Sequence, residues 1–212
     1  MTALSAQATH LLADVLAWQG LFALKLGKER LAYDLLREGV SVIERSGLDV
    51  DVAGGAVSCA LLQMELILAR ARTAGRPAAF LLADIDDFRR VNNTYGHSTG
   101  DLVLQELWRL WWESVPEGGA AFRWGGEELV MLLPDADAGA ATPYADRIRQ
   151  RMQDHVCQAV DGRQVRVTIS IGVAVCPQNA DDLIALHARA DQAAMRAKAA
   201  GKNRVCVAGD LP

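Results

Sequence analysis

An α/β layered domain preceded by a helical segment is the fold this sequence predicts, on three observations. Through the first third, apolar residues recur at three- and four-residue steps, the spacing of one helix face. At Pro77 that pattern breaks, and Ala78–Asp84 (AAFLLAD) follows as a short continuous apolar run, the mark of a strand buried on both faces. Beyond it, helical stretches alternate with short apolar runs, which is the order of a layered α/β unit.

Taken in order, Ala8, Leu11, Leu12, Val15, Trp18 and Phe22 paint one face of a first helix, which Gly27 interrupts. Leu31, Leu35, Leu36, Val42 and Ile43 mark a second helix, closed by Gly47, and Asp49, Asp51, Gly54 and Gly55 read as a loop. A third helix spans Val57–Ala74 with Leu61, Met64, Leu68 and Ala71 on one face. After the strand at Ala78 come helices over Phe88–Tyr95 and Gly100–Glu113. Ala120–Arg123 and Glu128–Leu133 read as two strands joined by the turn Trp124-Gly125-Gly126-Glu127. Pro134 ends the second strand, and a helix covers Ala138–Gln153. Val165–Val175 reads as a strand with Gly172 inside it, and Asp181–Ala200 as an Ala-rich helix stopped by Gly201. Arg204–Val207 is a last strand. No repeat of useful period is present, which excludes a helical solenoid.

With 212 residues, 51% of them apolar, the chain has material for one full α/β domain and a short extra module, and wholesale disorder is excluded. A net charge of −4 argues against a broad nucleic-acid surface while leaving room for a local basic pocket. No uncharged stretch approaches the ~20 apolar residues that cross a membrane. The opening MTALSAQATHLLAD lacks a basic region ahead of its apolar residues, so it does not read as a secretory signal. A cytoplasmic chain without membrane or nucleic-acid partners is the expectation. Cys59, Cys157, Cys176 and Cys206 form no CxxC pair. Along the sequence His10, His97, His155 and His187 group neither with one another nor with the cysteines, so reduced, mostly buried cysteines are expected rather than a zinc site.

Three local features carry chemistry. Asp84, Asp86 and Asp87 stand at the end of the buried strand, where a carboxylate costs desolvation energy unless a positive charge offsets it. A hard divalent cation is one such partner; a solvated loop that caps the next helix is the other reading. Gly125 and Gly126 permit positive φ or a close ligand approach, and the adjacent Glu127 and Glu128 alternate across a strand, so that only one faces the aspartates. Lys198 and Lys202, with Asn203 and Arg204, lie at a helix C-terminus, where they complement the helix dipole or meet phosphate.

Together these blocks resemble the GGDEF family. Asp84 to Asp101 (DIDDFRRVNNTYGHSTGD) is similar to its opening signature, and Arg123-Trp-Gly-Gly-Glu-Glu-Leu129 to its namesake hairpin. Val167–Val173 (VTISIGV) and Ala190-Asp191 with Ala197–Arg204 (AKAAGKNR) are similar to its last two blocks, in order. The resemblance implies a palm-like nucleotidyl-cyclase fold, with a central mixed sheet flanked by helices over residues 48–212 and an N-terminal helical segment, for dimerisation or input, over residues 1–47. It implies a diguanylate cyclase, which condenses two GTP to cyclic di-GMP and two pyrophosphates at the interface of a homodimer. Asp84, Glu127 and the Ile85 carbonyl would hold two Mg²⁺ per site, with Mn²⁺ as a substitute, and Glu128 would assist there or in deprotonation. Asn92 and Asp101 would read the guanine edge. Phe88 and Arg89 would lie in a turn whose amides hold phosphates, Gly125 and Gly126 would admit the ribose and α-phosphate, and Lys198 and Lys202 would contact the β- and γ-phosphates.

Departures from the family pattern matter unequally. Leu129 stands where Phe is usual, which costs some packing and no ligand. Lys202 replaces an Arg, turning a two-pronged phosphate contact into a point charge. The product-inhibition motif Arg-x-x-Asp is replaced by Pro116-Glu-Gly-Gly119, so inhibition through that site is not expected. The block that opens the domain survives only as fragments around Asp49–Ser58. The alternative reading is a degenerate module that binds GTP or a protein partner without catalysis, and an upstream sensor or partner would engage the N-terminal helices. An adenine-containing product is disfavoured, because a carboxylate at Asp101 meets adenine's bare N1. Trp108, Trp111 and Trp112 lie on one helix as core or as an aromatic patch, with core favoured, and His97 reads as a structural position.

Overall fold

The structure, a computed structural model, describes residues 57–209 and scattered positions between Leu12 and Val42, with side chains in the continuous part from Met64 onward. Helix α1 (Val57–Ala74) leads into strand β1 (Ala78–Ile85), followed by helices α2 (Phe88–Tyr95) and α3 (His97–Trp112). Next come the hairpin β2 (Ala120–Gly125) and β3 (Glu128–Pro134), helix α4 (Ala138–Asp154), and two short strands, β4 (Cys157–Gln158) and β5 (Gln164–Val165). A long strand β6 (Ile169–Cys176), helix α5 (Leu183–Ala199) and strand β7 (Val205–Val207) follow.

Five strands make one mixed sheet in the order β2-β3-β1-β6-β7. Neighbours run antiparallel except β6 and β7, which are parallel. The central position of β1 explains its composition: paired at both edges and covered on both faces, it is buried throughout except at Asp84. Its side chains alternate between layers. Ala79, Leu81, Ala83 and Ile85 face α2, α3 and α4, whereas Ala78, Phe80 and Leu82 face α1 and α5. In β3, Leu129, Met131 and Leu133 join the first layer and Val130 and Leu132 the second.

Local chemistry sets the helix boundaries. Asp137 caps α4 by accepting from the Ala140 amide at 2.9 Å, and Asp182 caps α5 by accepting from Ala185 at 2.8 Å. Helix α5 lies flush on β6 because residue 172 is glycine: a Cβ there would stand 1.9 Å from the Ala190 carbonyl oxygen and 2.5 Å from the Ala194 nitrogen.

The structure departs from the sequence reading in four places. Helix α3 starts at His97 rather than Gly100, directly after Gly96 (φ 84), the positive-φ hinge that separates it from α2. The single strand expected over Val165–Val175 is two elements: Gln164–Val165 pairs with Cys157–Gln158 in a separate two-stranded ribbon, and the sheet strand starts at Ile169. The tryptophans divide, since Trp111 is fully buried and donates to the Val130 carbonyl at 3.0 Å while Trp112 is exposed and Trp108 half-buried against it. On the first helix, Leu12, Val15 and Phe22 of the predicted apolar face are exposed, and Leu16 and Ala23 are buried instead. The expected domain boundary at residues 47 and 48, the Asp49–Ser58 fragments up to Ala56, and the side chain of Cys59 lie outside the described residues.

Candidate active site

The end of β1 faces the start of β3, so Asp84 stands directly opposite Glu128 in the register. The chain reaches Glu128 through a tight turn at Gly126-Glu127, and Arg123 secures that turn by donating from Nε to the Gly126 carbonyl at 3.0 Å. Glu127 belongs to the turn and not to the strand, so the expected alternation of the two glutamates does not apply: Asp84 acts electrostatically on both. Nor does either hairpin glycine adopt positive φ; the glycines that do among the described residues lie elsewhere. Their use is space. A Cβ on Gly126 would meet nothing within 4 Å, and one on Gly125 would come 3.1 Å from Glu128 Oε2.

Helix α5 closes the cluster from the other layer. Lys198 Nζ lies 2.6 Å from Asp84 Oδ1 and forms an ion pair with it. Burial nevertheless pushes the Asp84 carboxyl above its usual range, against the pull of Lys198, and the Asp86 and Asp191 charges push the same way. Burial and then Asp84 raise Glu127; burial, Asp84 and Asp191 raise Glu128. Asp191 is therefore a fourth carboxylate of the site that the sequence reading did not assign. Its signal was present, because Asp191 and Lys198 are seven residues apart and thus share a face of one helix.

The other two aspartates of the cluster do different work. Asp86 is buried and accepts from the Thr168 hydroxyl (2.6 Å), the Ser170 hydroxyl (2.7 Å) and the Asn203 amide (3.0 Å), so it is a structural anchor. Asp87 precedes α2 at φ 56, without a side-chain cap, and accepts from Lys202 at 2.6 Å. Lys202 is delivered by a turn in which Gly201, Lys202 and Asn203 all have positive φ (112, 63 and 47). Asn203 fixes that turn through Asp86, and its side chain also bonds Arg149 and Gln153.

Of the residues expected at the guanine, Asn92 lies on α2 with its amide against Gly100, where a Cβ would collide with Oδ1 at 1.9 Å. Asp101 is the next residue of α3 and is exposed. Phe88 is the first residue of α2 and buried in the core, Arg89 is exposed beside it, and Ile85 is the last residue of β1 with its side chain in the core. His97 is exposed at the start of α3. A cavity of about 380 Å³ beside the β1–α2 turn is lined by Asp86, Asp87, Arg90, Asp154 and Arg166 among others, and contains none of Asp84, Glu127, Glu128 or Lys198.

The donor set at the hairpin is oxygen only: carboxylates that raise one another's pKa, with the partly buried Asp84 held against the Lys198 ammonium. Such a set fits a hard divalent cation. A mixed five-stranded sheet flanked by helices, with an acidic cluster where its central strand meets a glycine hairpin, makes this a palm-like α/β domain.

The chain belongs to the GGDEF family, whose model, described as diguanylate cyclase, GGDEF domain, matches residues 58–204. It is 38% identical over 144 residues to the response regulator PleD of Caulobacter vibrioides, covering 68% of this chain and 32% of that protein. To the diguanylate cyclase DosC of Escherichia coli it is 31% identical over 173 residues, covering 81% of this chain and 37% of that protein. The match thus spans about a third of the length of these curated relatives. The crystal structure of the GGDEF domain of YfiN (TpbB) from Pseudomonas aeruginosa superposes with a TM-score of 0.66 at 31% identity, covering 71% of this chain and 92% of that one. Diguanylate cyclases of this family generally depend on a divalent metal. Among the described residues, no helix is long and apolar enough to cross a membrane.

Proposed function

We propose that the protein is a diguanylate cyclase that condenses two GTP molecules into cyclic di-GMP with release of two pyrophosphates. The observation that carries this reading is the convergence of Asp84, Glu127, Glu128 and Lys198 where β1 meets the β2–β3 turn. Asp84, Glu127 and the Ile85 carbonyl would hold Mg²⁺. When bound, the metal supplies the positive charge that neutralises the triphosphate and acidifies the attacking 3′-hydroxyl.

The chain's own groups do the rest. Glu128, its pKa raised by burial and by Asp84, is a stronger base than an ordinary carboxylate and is suited to accept the 3′-hydroxyl proton. Asn92 and Asp101 bind the guanine edge through amide and carboxylate. Lys198 and Lys202 exchange their Asp84 and Asp87 partners for phosphate oxygens as substrate and metal enter. Gly125 and Gly126 leave room for the ribose and α-phosphate to lie on the turn, and the α2 amides at Phe88 and Arg89 face the phosphates. Each protomer holds one GTP, so the working unit is a homodimer with two sites face to face. Without the Arg-x-x-Asp motif, the product does not inhibit through that site.

The test is product analysis by chromatography and mass spectrometry after incubation with GTP and Mg²⁺, with Glu127→Ala as control. Cyclic di-GMP that disappears in the variant is the expected result. GTP that binds but stays unconverted at high protein concentration would overturn the proposal in favour of a nucleotide-binding module.

A further inference from the structure

Away from the hairpin, the fold assembles a second group of metal-binding side chains. Glu106 lies on α3, and His155 and Cys157 lie on the segment that leaves α4 and enters β4. His155 has an extended backbone (φ −71, ψ 139), and in extended chain residues two apart project to the same side. The packing of β4 against α3 then brings Glu106 to both. One donor atom from each of the three residues lies within 4.8 Å of the others, and His155 Nε2 is 2.5 Å from Glu106 Oε2. The expectation that no histidine groups with a cysteine is corrected here: His155 and Cys157 stand two residues apart, too few ligands to read as a site on their own, and Glu106 is 49 residues away from His155.

We infer that Glu106, His155 and Cys157 form a binding site for a zinc-class divalent transition ion, separate from the oxygen-only site at the hairpin. A thiolate, an imidazole and a carboxylate are the donors such an ion takes, three protein ligands leaving a fourth position for water. Mg²⁺ does not compete for a sulfur- and nitrogen-containing set. Around a tetrahedral ion these donors stand about 3.3–3.6 Å apart, so side-chain movements of about 1 Å complete the site. The approach is open, since the Glu106 and His155 side chains are 31% and 24% exposed while Cys157 lines the floor. Without an ion, burial and then the Glu106 charge keep the thiol protonated, with its pKa pushed up to about 12. On loading, the sulfur–metal bond forms as the S–H bond breaks, and that proton leaves to solvent. The ion fastens α3 to the α4–β4 junction, on the helix that carries Asp101 five residues upstream.

The experiment uses the full chain, stripped with a chelator and kept in excess Mg²⁺ to occupy hard-cation sites. Zn²⁺ is then titrated against a chromophoric chelator. One ion per chain is expected, with affinity reduced about tenfold or more in each of Glu106→Gln, His155→Gln and Cys157→Ser. Co²⁺ in the unsubstituted protein should give a thiolate-to-cobalt charge-transfer band in the near ultraviolet, a readout that needs no variant to fold. No Zn²⁺ uptake in Mg²⁺, undiminished affinity in all three variants, or the absence of the cobalt band would each overturn the inference. None of these outcomes depends on GTP or cyclase activity.

Discussion

Two residues show how much rests on a single position. At Gly100 a methyl group would stand 1.9 Å from Asn92 Oδ1 and 3.3 Å from Cζ of the buried Phe88, so the amide cannot stay and the ring must give by a few tenths of an ångström. Gly100→Ala should therefore lower the melting temperature by only about 2–4 °C and raise the KM for GTP about tenfold, with kcat much less affected; steady-state kinetics beside a thermal melt checks it. Glu128 shows the opposite trade. Its folded pKa lies above the ordinary 4.5, so the folded state binds its proton more tightly than the unfolded chain and stability falls as pH rises from 4.5 through the raised value. Glu128→Gln has no such loss. In chelator-containing buffer its stability advantage over the unsubstituted protein should grow across that window, reaching about 1–3 °C in melting temperature near neutrality, while cyclase activity collapses. The residues Asp84, Glu127 and Lys198 were legible in the sequence as a motif. That Glu127 and Glu128 both respond to Asp84 was not, because it depends on where the turn ends and the strand begins, a boundary of one residue. Asp86 was legible as an acid but not as an anchor, since its three donors come from residues 168, 170 and 203.

At the scale of elements, the contact of α5 with β6 sets the precision of the site. The helix carries Asp191 and Lys198 to the carboxylates, and its distance from the sheet is fixed by backbone atoms meeting over Gly172. Gly172→Ala forces that helix outward, at a cost of about 3 kcal/mol in urea unfolding, with activity lost beyond what the stability change explains. The Ala-rich helix was legible nearly to its bounds, and β6 as a continuous apolar run whose start alone was misplaced. The β4–β5 ribbon escaped because two-residue strands have no period to detect, and the residues between it and β6 continue the same apolar pattern.

For the whole molecule, the relevant surface is the first helix. Leu12, Val15 and Phe22 are exposed at three- and seven-residue steps, while Ala23 is buried with Ile184 of α5 and Leu35 packs against them. The N-terminal segment thus touches the helix that supplies Asp191 and Lys198 and presents an apolar stripe outward. If that stripe joins two protomers, as the proposed reaction requires, activity per protein rises with protein concentration. Phe22→Glu should shift the concentration midpoint upward about tenfold, in sedimentation and in activity alike, and leave far-UV circular dichroism unchanged. A variant with unaltered sedimentation would place the dimer contact elsewhere.

The bond between Asp86 and Asn203 joins residues 117 apart in sequence. Synthesis runs from one to the other, so a growing chain displays Asp84, Glu127 and Glu128 long before the turn that anchors Asp86 and supplies Lys202 has left the ribosome. Until then the buried Asp86 carboxylate lacks the last of its three donors and the β6 edge lacks its parallel neighbour. The nascent protein has the acids of the site without their closure, which waits for the last elements to emerge.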